Sequence, residues 1–291
     1  MLRTALRLAG PFGLVVMLSV NTGVFARPAG PLPDTAAKPL NEAAIAAEAA
    51  AIRSALALVA PNGPHMTAAR QATMIALGKR MVLAGNLFFL RPQLLLLVDR
   101  AAATQIMAVT LVTPDGLWQI LGTSHVSTGK PGRKEHYKTP VGVLLNNGAE
   151  LGYRAQGTYN QNHIRGLGVK GMRVWDFGWR TTDDWRYAKS TIEIRVEMHA
   201  TDPAILAHRI GRPDSEGCIR VSAALNKFLD HRGIIDADLR AFAVRDISYR
   251  ALLPAHADPT PLAGDAVVVI DSSEPWLRPH PPAPPAVAMG D

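Results

Sequence analysis

Cys218 is the only cysteine in the chain, and it stands in the run Asp214-Ser215-Glu216-Gly217-Cys218-Ile219-Arg220. A structural thiol usually lies among apolar residues, whereas this one follows four polar or small ones, a loop sequence that offers the sulfur to a ligand. Gly217 lets the backbone approach a ligand closely, Ser215 shapes the turn, and the successive amides of Gly217 and Cys218 suit a developing negative charge. The chemistry such a group fits is attack of a thiol on a carbonyl, with the oxyanion held by those amides. Arg220, two residues on, either favours the thiolate or binds a carboxylate. A thiol nucleophile also needs a base, and two histidines compete for the role. His199 lies 19 residues before the cysteine and His208 lies 10 before it. His208 sits between Ala207 and Arg209 in a loop sequence, where it is solvated or helps to shape the site. His199 is therefore the expected base.

The elements around the pair give the reason for that choice. From Thr191 to Met198, Ile192, Ile194 and Val196 alternate with Glu193, Arg195 and Glu197, the pattern of a half-buried strand. His199 comes at its carboxyl end, on a rigid element where a base is well held. Ser222 to Leu229 reads as a short helix with Ser222 as N-cap. A cysteine just before a helix start is expected to gain thiolate character and a lowered pKa. Upstream, Gln93–Asp99, Ile106–Val112 and Trp118–Gly122 read as three strands of an antiparallel meander, with Pro114-Asp115-Gly116 turning between the last two. Val267–Asp271 reads as a closing strand. Residues 146–190 are less regular, carrying Tyr153, Tyr159, His163, Trp175, Trp179 and Trp185. Gly166, Gly168 and Gly171 within them do not form a dinucleotide fingerprint, since no apolar strand leads in and no helix follows.

Two further motifs precede the histidine: Ser127-Thr128-Gly129-Lys130 and Thr139-Pro140-Val141-Gly142. Together with His199 and Ser215-x-Gly217-Cys218-Ile219-Arg220, in this order, they resemble the catalytic domain of the L,D-transpeptidase (YkuD-type) family. Glu216 stands where that family usually has a histidine, and its charge beside the thiol opposes thiolate formation. The resemblance implies a mostly β fold, a YkuD-like β-sandwich or barrel with short helices, over residues 91–272. It implies Cys218 as nucleophile and His199 as proton acceptor. Gly217 and Ser215 would form the oxyanion turn, and Arg220, Thr139, Gly142 and His208 would meet substrate. Residues 146–190 would form a lid or one wall of the cleft, their aromatic rings stacking on a sugar or a peptide stem. The implied substrate is the tetrapeptide stem of peptidoglycan, the product a 3-3 cross-link, and no cofactor or metal is required. Resolution of the thioester by water instead would make the protein an L,D-carboxypeptidase or endopeptidase. A non-catalytic peptidoglycan-binding module and a thiol-linked dimer are the remaining readings.

The rest of the chain fits an exported enzyme. With 291 residues, 48% hydrophobic and 19% charged, it can bury a sizeable core. A net charge of +7 suits an anionic wall polymer or membrane surface. No aromatic-interleaved basic stretch or zinc spacing accompanies it, so nucleic acid and metal are not expected partners. Residues 1–26 have the layout of a secretory signal: Arg3 and Arg7, an apolar run from Leu8, and Val-Phe-Ala at the cut. Pro11, Gly13, Asn21 and Gly23 break that run short of a membrane span. The expected location is periplasmic or exported. Residues 27–90 read as a Pro-rich linker and a helical hairpin, Asn41–Val59 and Thr67–Leu83, parted by Pro61-Asn62-Gly63-Pro64. Residues 273–291 read as a Pro-rich disordered tail.

Overall fold

A computed structural model describes residues 40–280. The expected signal segment, most of the linker and the last residues of the tail lie outside that range. The chain opens with two helices, α1 (Glu42–Val59) and α2 (Ala68–Ala84), each started by the residue its sequence suggests. Asn41 Oδ1 accepts from the Ala44 N–H at 2.8 Å, and Thr67 Oγ1 accepts from the Arg70 N–H at 3.3 Å. Then follow β1 (Gln93–Asp99), β2 (Ile106–Val112), β3 (Trp118–His125), β4 (Gly142–Leu145), β5 (Tyr153–Arg154), β6 (Arg173–Asp183) and β7 (Thr191–Ala200). A 3-10 turn at Ala207–Arg209 leads to β8 (Ile219–Val221), α3 (Ala223–Arg232), α4 (Ala237–Ala243), α5 (Ile247–Arg250) and β9 (Ala266–Ile270). Among the described residues, helix and strand are about equally represented. The expectation of a mostly β fold is corrected to a mixed α/β one, and no barrel closes.

The strands form two sheets, one ordered β3-β2-β1-β9-β4 and the other β5-β6-β7-β8. β9 enters the first sheet between β1, which it meets in parallel, and β4, so the last strand is central. Alternate residues of β1 explain the layering. Leu94, Leu96 and Val98 share one core with Trp175, Val196, Met198, Ile219 and Val221 of the second sheet. Leu95 and Leu97 face the other way, against Met74, Leu77 and Met81 of α2. A strand buried on both faces reads as an unbroken apolar run, which is why Gln93–Asp99 shows no alternation.

The two helices do not make a separate hairpin. Ile52 and Leu56 of α1 enter the core between the sheets, while α2 covers the opposite face of the first sheet. Gly78 permits that close approach, since a Cβ there would lie 2.9 Å from the side chains of Leu97 and Trp118. The link between them wraps the β3 edge, where the Thr123 hydroxyl donates to the Pro64 carbonyl at 2.8 Å. Full burial of an Ile or Leu is worth about 1.5–3 kcal/mol, so α1 is part of what stabilises the sheets.

Candidate active site

β7 and β8 run parallel in the second sheet, with Met198 opposite Ile219 and His199 opposite Arg220. Ile219 and Val221 point into the core. The neighbouring positions, Cys218 and Arg220, therefore share the opposite face of the sheet with Glu197 and His199. Continuing the register one step puts Cys218 across from Glu197 and diagonal to His199, a separation of roughly 7 Å between Cβ atoms. This is how residues 19 apart in sequence reach one place.

His199 is buried, and its Nδ1 lies 2.8 Å from the Ala200 carbonyl oxygen. A carbonyl can only accept, so Nδ1 carries the proton and Nε2 keeps its lone pair, the form a base requires. Burial pushes its pKa down to about 4; the Arg220 charge adds to the fall and the Ala200 bond opposes it. The loop between β5 and β6 packs beside the end of β7. It closes on itself through Ala155 N–H to the Met172 carbonyl and Gly171 N–H to the Ala155 carbonyl, both 2.8 Å. The Arg165 N–H ties the loop to buried Asp202 at 2.9 Å, and its Gly168 rests against Ala200. A cavity of about 590 Å³ under the loop is lined by Tyr153, Arg154, Thr158, Tyr159 and Ile164 among others.

Cys218 is half-buried. Burial pushes its thiol up to about 12; the charges of Glu197 and Glu216 add to the rise, while the Glu197 N–H and Arg220 oppose it. The expectation of a helix-lowered pKa is therefore corrected. β8 separates Cys218 from the start of α3 by three residues, about 10 Å, and a helix dipole acts only near its first turn. The sulfur leans toward the start of β7, 3.9 Å from the Arg195 carbonyl oxygen. No hydrogen bond joins it to His199 among the described residues. Nucleophile–base hydrogen bonds in apo sites are commonly long or unformed.

The turn before the cysteine is held on every side. Ser215 Oγ donates to the Cys218 carbonyl at 2.6 Å and accepts from the Gly217 N–H at 3.2 Å. The Gly217 amide is thus already bonded, and the Cys218 amide is the donor left for an oxyanion, which narrows the expected pair to one. Gly217 has φ +148°, and a Cβ there would meet Ile194 Cδ1 at 2.5 Å. The Ser127–Lys130 motif lies alongside: Ser127 pairs with Arg220, Gly129 pairs with Ser215, and Thr128 O receives the Ser215 N–H at 3.0 Å. The two motifs, whose first residues Ser127 and Ser215 are 88 apart in sequence, form one structure.

Thr139, expected to meet substrate, is fully buried beneath this turn. Its hydroxyl donates to the Gly217 carbonyl at 2.7 Å and accepts from the Gly129 N–H at 2.9 Å. It is a positioning residue. Its own carbonyl accepts from Arg100, whose Nε also pairs with Asp271 at 2.9 Å, both side chains buried at the ends of β1 and β9. The first sheet thereby braces the Ser215–Cys218 turn of the second.

Three other expected residues stand differently. Gly142 begins β4 opposite Val269 and is covered by Pro279. That cover is the start of the expected disordered tail, which is folded back as far as His280. The His280 N–H donates to the Val141 carbonyl at 2.7 Å, and Lys138 Nζ pairs with Glu274 at 2.7 Å. His208 is exposed on the 3-10 turn and touches neither Cys218 nor His199 among the described residues. Arg220 lies by the pair, with its Nη1 3.2 Å from the Asp214 carbonyl oxygen and its buried Nε unpartnered.

The sequence reading passed over Glu197 and the part Tyr153 plays. Tyr153 Oη donates to Glu197 Oε1 at 2.8 Å, so a ring lining the loop cavity touches the carboxylate opposite Cys218. Burial lifts the Glu197 pKa, Tyr153 and Arg195 oppose the rise, and Asp176 adds to it. The alternation along β7 carried the signal, since Glu197 and His199 are two apart and share a face. Among the described residues no three His, Cys, Asp or Glu side chains cluster as a metal site would, and no helix is long and apolar enough to cross a membrane. Comparison with protein-family models finds no match, and comparison with curated proteins finds none.

Proposed function

We propose that the protein is an exported cysteine L,D-transpeptidase that joins peptidoglycan stem peptides through a Cys218 thioester, giving 3-3 cross-links. The observation that carries the reading is that residues from four separate motifs gather around one turn and the strand pair it leads into. Ser127–Lys130, Thr139, His199 and Ser215–Arg220 meet where a thiol, a base with a fixed tautomer and a free amide adjoin. A decayed or purely adhesive site has no need of a buried imidazole with its Nε2 lone pair kept open.

In the resting protein both groups are uncharged at neutral pH, because burial raises the thiol and lowers the imidazole. No preformed thiolate is available, so the proton leaves as attack begins. His199 Nε2 takes the thiol proton while sulfur adds to the carbonyl of the third, L-configured stem residue. The Cys218 N–H holds the resulting oxyanion. Collapse breaks the C–N bond, and the imidazolium returns its proton to the departing terminal D-amino acid. An amine of a second stem then adds to the thioester, loses a proton to His199, and expels the sulfur, which regains that proton. Arg220 supplies positive charge beside both reacting groups.

The test is product analysis with a disaccharide-tetrapeptide. Release of the terminal D-residue together with dimers joined through third residues, both lost in Cys218→Ser and His199→Gln, is the expected result. Release without dimers would move the assignment to a carboxypeptidase. Folded protein that releases nothing from stems of several compositions, yet sediments with peptidoglycan whether or not Cys218 is present, would replace the enzyme by a binding module.

A further inference from the structure

We propose that Glu197 receives the ammonium group of the second substrate and so decides whether the Cys218 thioester is resolved by an amine or by water. The inference rests on the transpeptidase reading and adds to it a residue that none of the four motifs contains. Its basis is an unmatched charge at the right place. Glu197 stands across the parallel strand pair from Cys218, on the same sheet face, so a cation on its carboxylate lies beside the thioester carbon.

The carboxylate is half-buried and has no ion-pair partner among the described residues; its one hydrogen bond is the 2.8 Å bond from Tyr153. The nearest cation is occupied. Arg195 Nη2 bonds Asp176 at 2.6 Å and Glu150 at 3.1 Å, and its Nε bonds Asp176 at 2.8 Å. A partly desolvated carboxylate without a cation is costly, and a ligand ammonium is the group that relieves it. The surroundings carry more acid than base. Along the open face of β7, Glu193 and Glu197 flank Arg195, which is bound to Asp176 and Glu150; Asp176 stands opposite Glu197 on β6, and Glu216 precedes Cys218. Arg220, on the neighbouring strand, is itself paired with Asp214 at 3.6 Å, so the unmatched charge beside the thiol is that of Glu197.

The step balances simply. The ammonium gives one proton to the Glu197 carboxylate, and the freed lone pair forms the C–N bond as the C–S bond breaks. The second proton passes through His199 Nε2 to the departing sulfur, and Glu197 returns its proton to solvent.

The experiment uses the full chain, wild type beside Glu197→Gln and Glu197→Asp, with disaccharide-tetrapeptide as donor. The acceptor is a stem peptide with a free side-chain amine, and the control is the same peptide N-acetylated. Glutamine keeps the size and the Tyr153 bond but not the charge. The thioester, read by intact mass, is expected in all three proteins. The acceptor KM in Glu197→Gln is expected to rise about ten- to hundredfold, the loss of one charge-assisted bond. The product is expected to shift from cross-link toward hydrolysis, with Glu197→Asp recovering part of the cross-linking. Thioester in all three proteins with an unchanged acceptor KM and product ratio would overturn this inference alone. Absence of thioester from wild type would overturn it together with the transpeptidase reading.

Discussion

Lowering the pH from 7 to 4 should destabilise the protein through His199, by an amount the site fixes. In the unfolded chain an imidazole protonates near pH 6.5, whereas burial holds His199 neutral in the fold down to about pH 4. Between those values the unfolded state binds a proton that the folded state refuses. The contribution is complete above pH 6.5 and disappears as the pH falls through the window. The gap of about 2.5 units corresponds to about 3 kcal/mol at 1.36 kcal/mol per unit. Carboxyl groups raised by burial work against it, among them Glu197, Asp236, Asp238 and Asp265. Burial lifts Asp265 to about 7, so its fold-stabilising proton is present at low pH and is lost as the pH rises through the same range. Wild type alone would therefore show a muted slope, and the comparison must be with His199→Gln, in which these carboxyl groups contribute as before. Urea denaturation at pH 7, 6, 5 and 4 gives the two stability curves. The curves should close on one another by about 3 kcal/mol on acidification. Parallel curves would refute the neutral, buried imidazole and with it the open Nε2.

Thr139→Val removes a hydroxyl that satisfies two buried backbone groups, the Gly217 carbonyl and the Gly129 N–H. At about 1–3 kcal/mol for each orphaned group it should cost several kcal/mol and slow thioester formation, whereas Thr139→Ser should restore both; an unaltered denaturation midpoint would contradict it. Cys218, with its thiol lifted to about 12, should react with iodoacetamide at pH 7.5 roughly 30- to 100-fold more slowly than a free thiol. Glu216→Gln should quicken that reaction, and alkylation of wild type at the rate of a free thiol would count against the raised pKa. Asp265→Asn keeps an acceptor for the Asp238 N–H, now 2.7 Å away, and removes a charge that burial disfavours. It should be more stable than wild type at pH 8, by on the order of 2–4 kcal/mol, and lose that advantage by pH 4. A difference that does not vary with pH would exclude the burial explanation.

The parts legible in the sequence were those set by short-range pattern. Gln93–Asp99, Ile106–Val112 and the start of Thr191–Ala200 coincide with strands because apolar runs and strict alternation leave little choice. Asn41, Thr67 and Ser222 cap their helices because a side-chain oxygen at that position satisfies an otherwise orphaned amide. β6 was missed for an equally local reason: its register shifts between Asp176 and Trp179, where Gly178 takes φ +73°, and the alternation breaks there. The placing of the helices depends on tertiary packing, since nothing within Glu42–Val59 says that it enters between the sheets. The same holds for Thr139, which reads as a turn residue and proves to be a buried brace because Arg100 and Asp271 arrive from distant strand ends. The sequence also allowed a helix-activated thiol, and three strand residues after Cys218 remove that possibility. Glu197 was in plain view as an outward strand position, but its lack of a cation emerges only once Arg195 is seen bound to Asp176.

The most direct measurement is the intact mass of the full-length protein after incubation with a disaccharide-tetrapeptide, beside Cys218→Ser. An added mass equal to the donor less its terminal D-residue, present in wild type, absent from the variant and located on Cys218 by peptide mapping, is the result predicted. Folded wild type that acquires no adduct and releases no D-residue from any of several stem compositions would contradict the account.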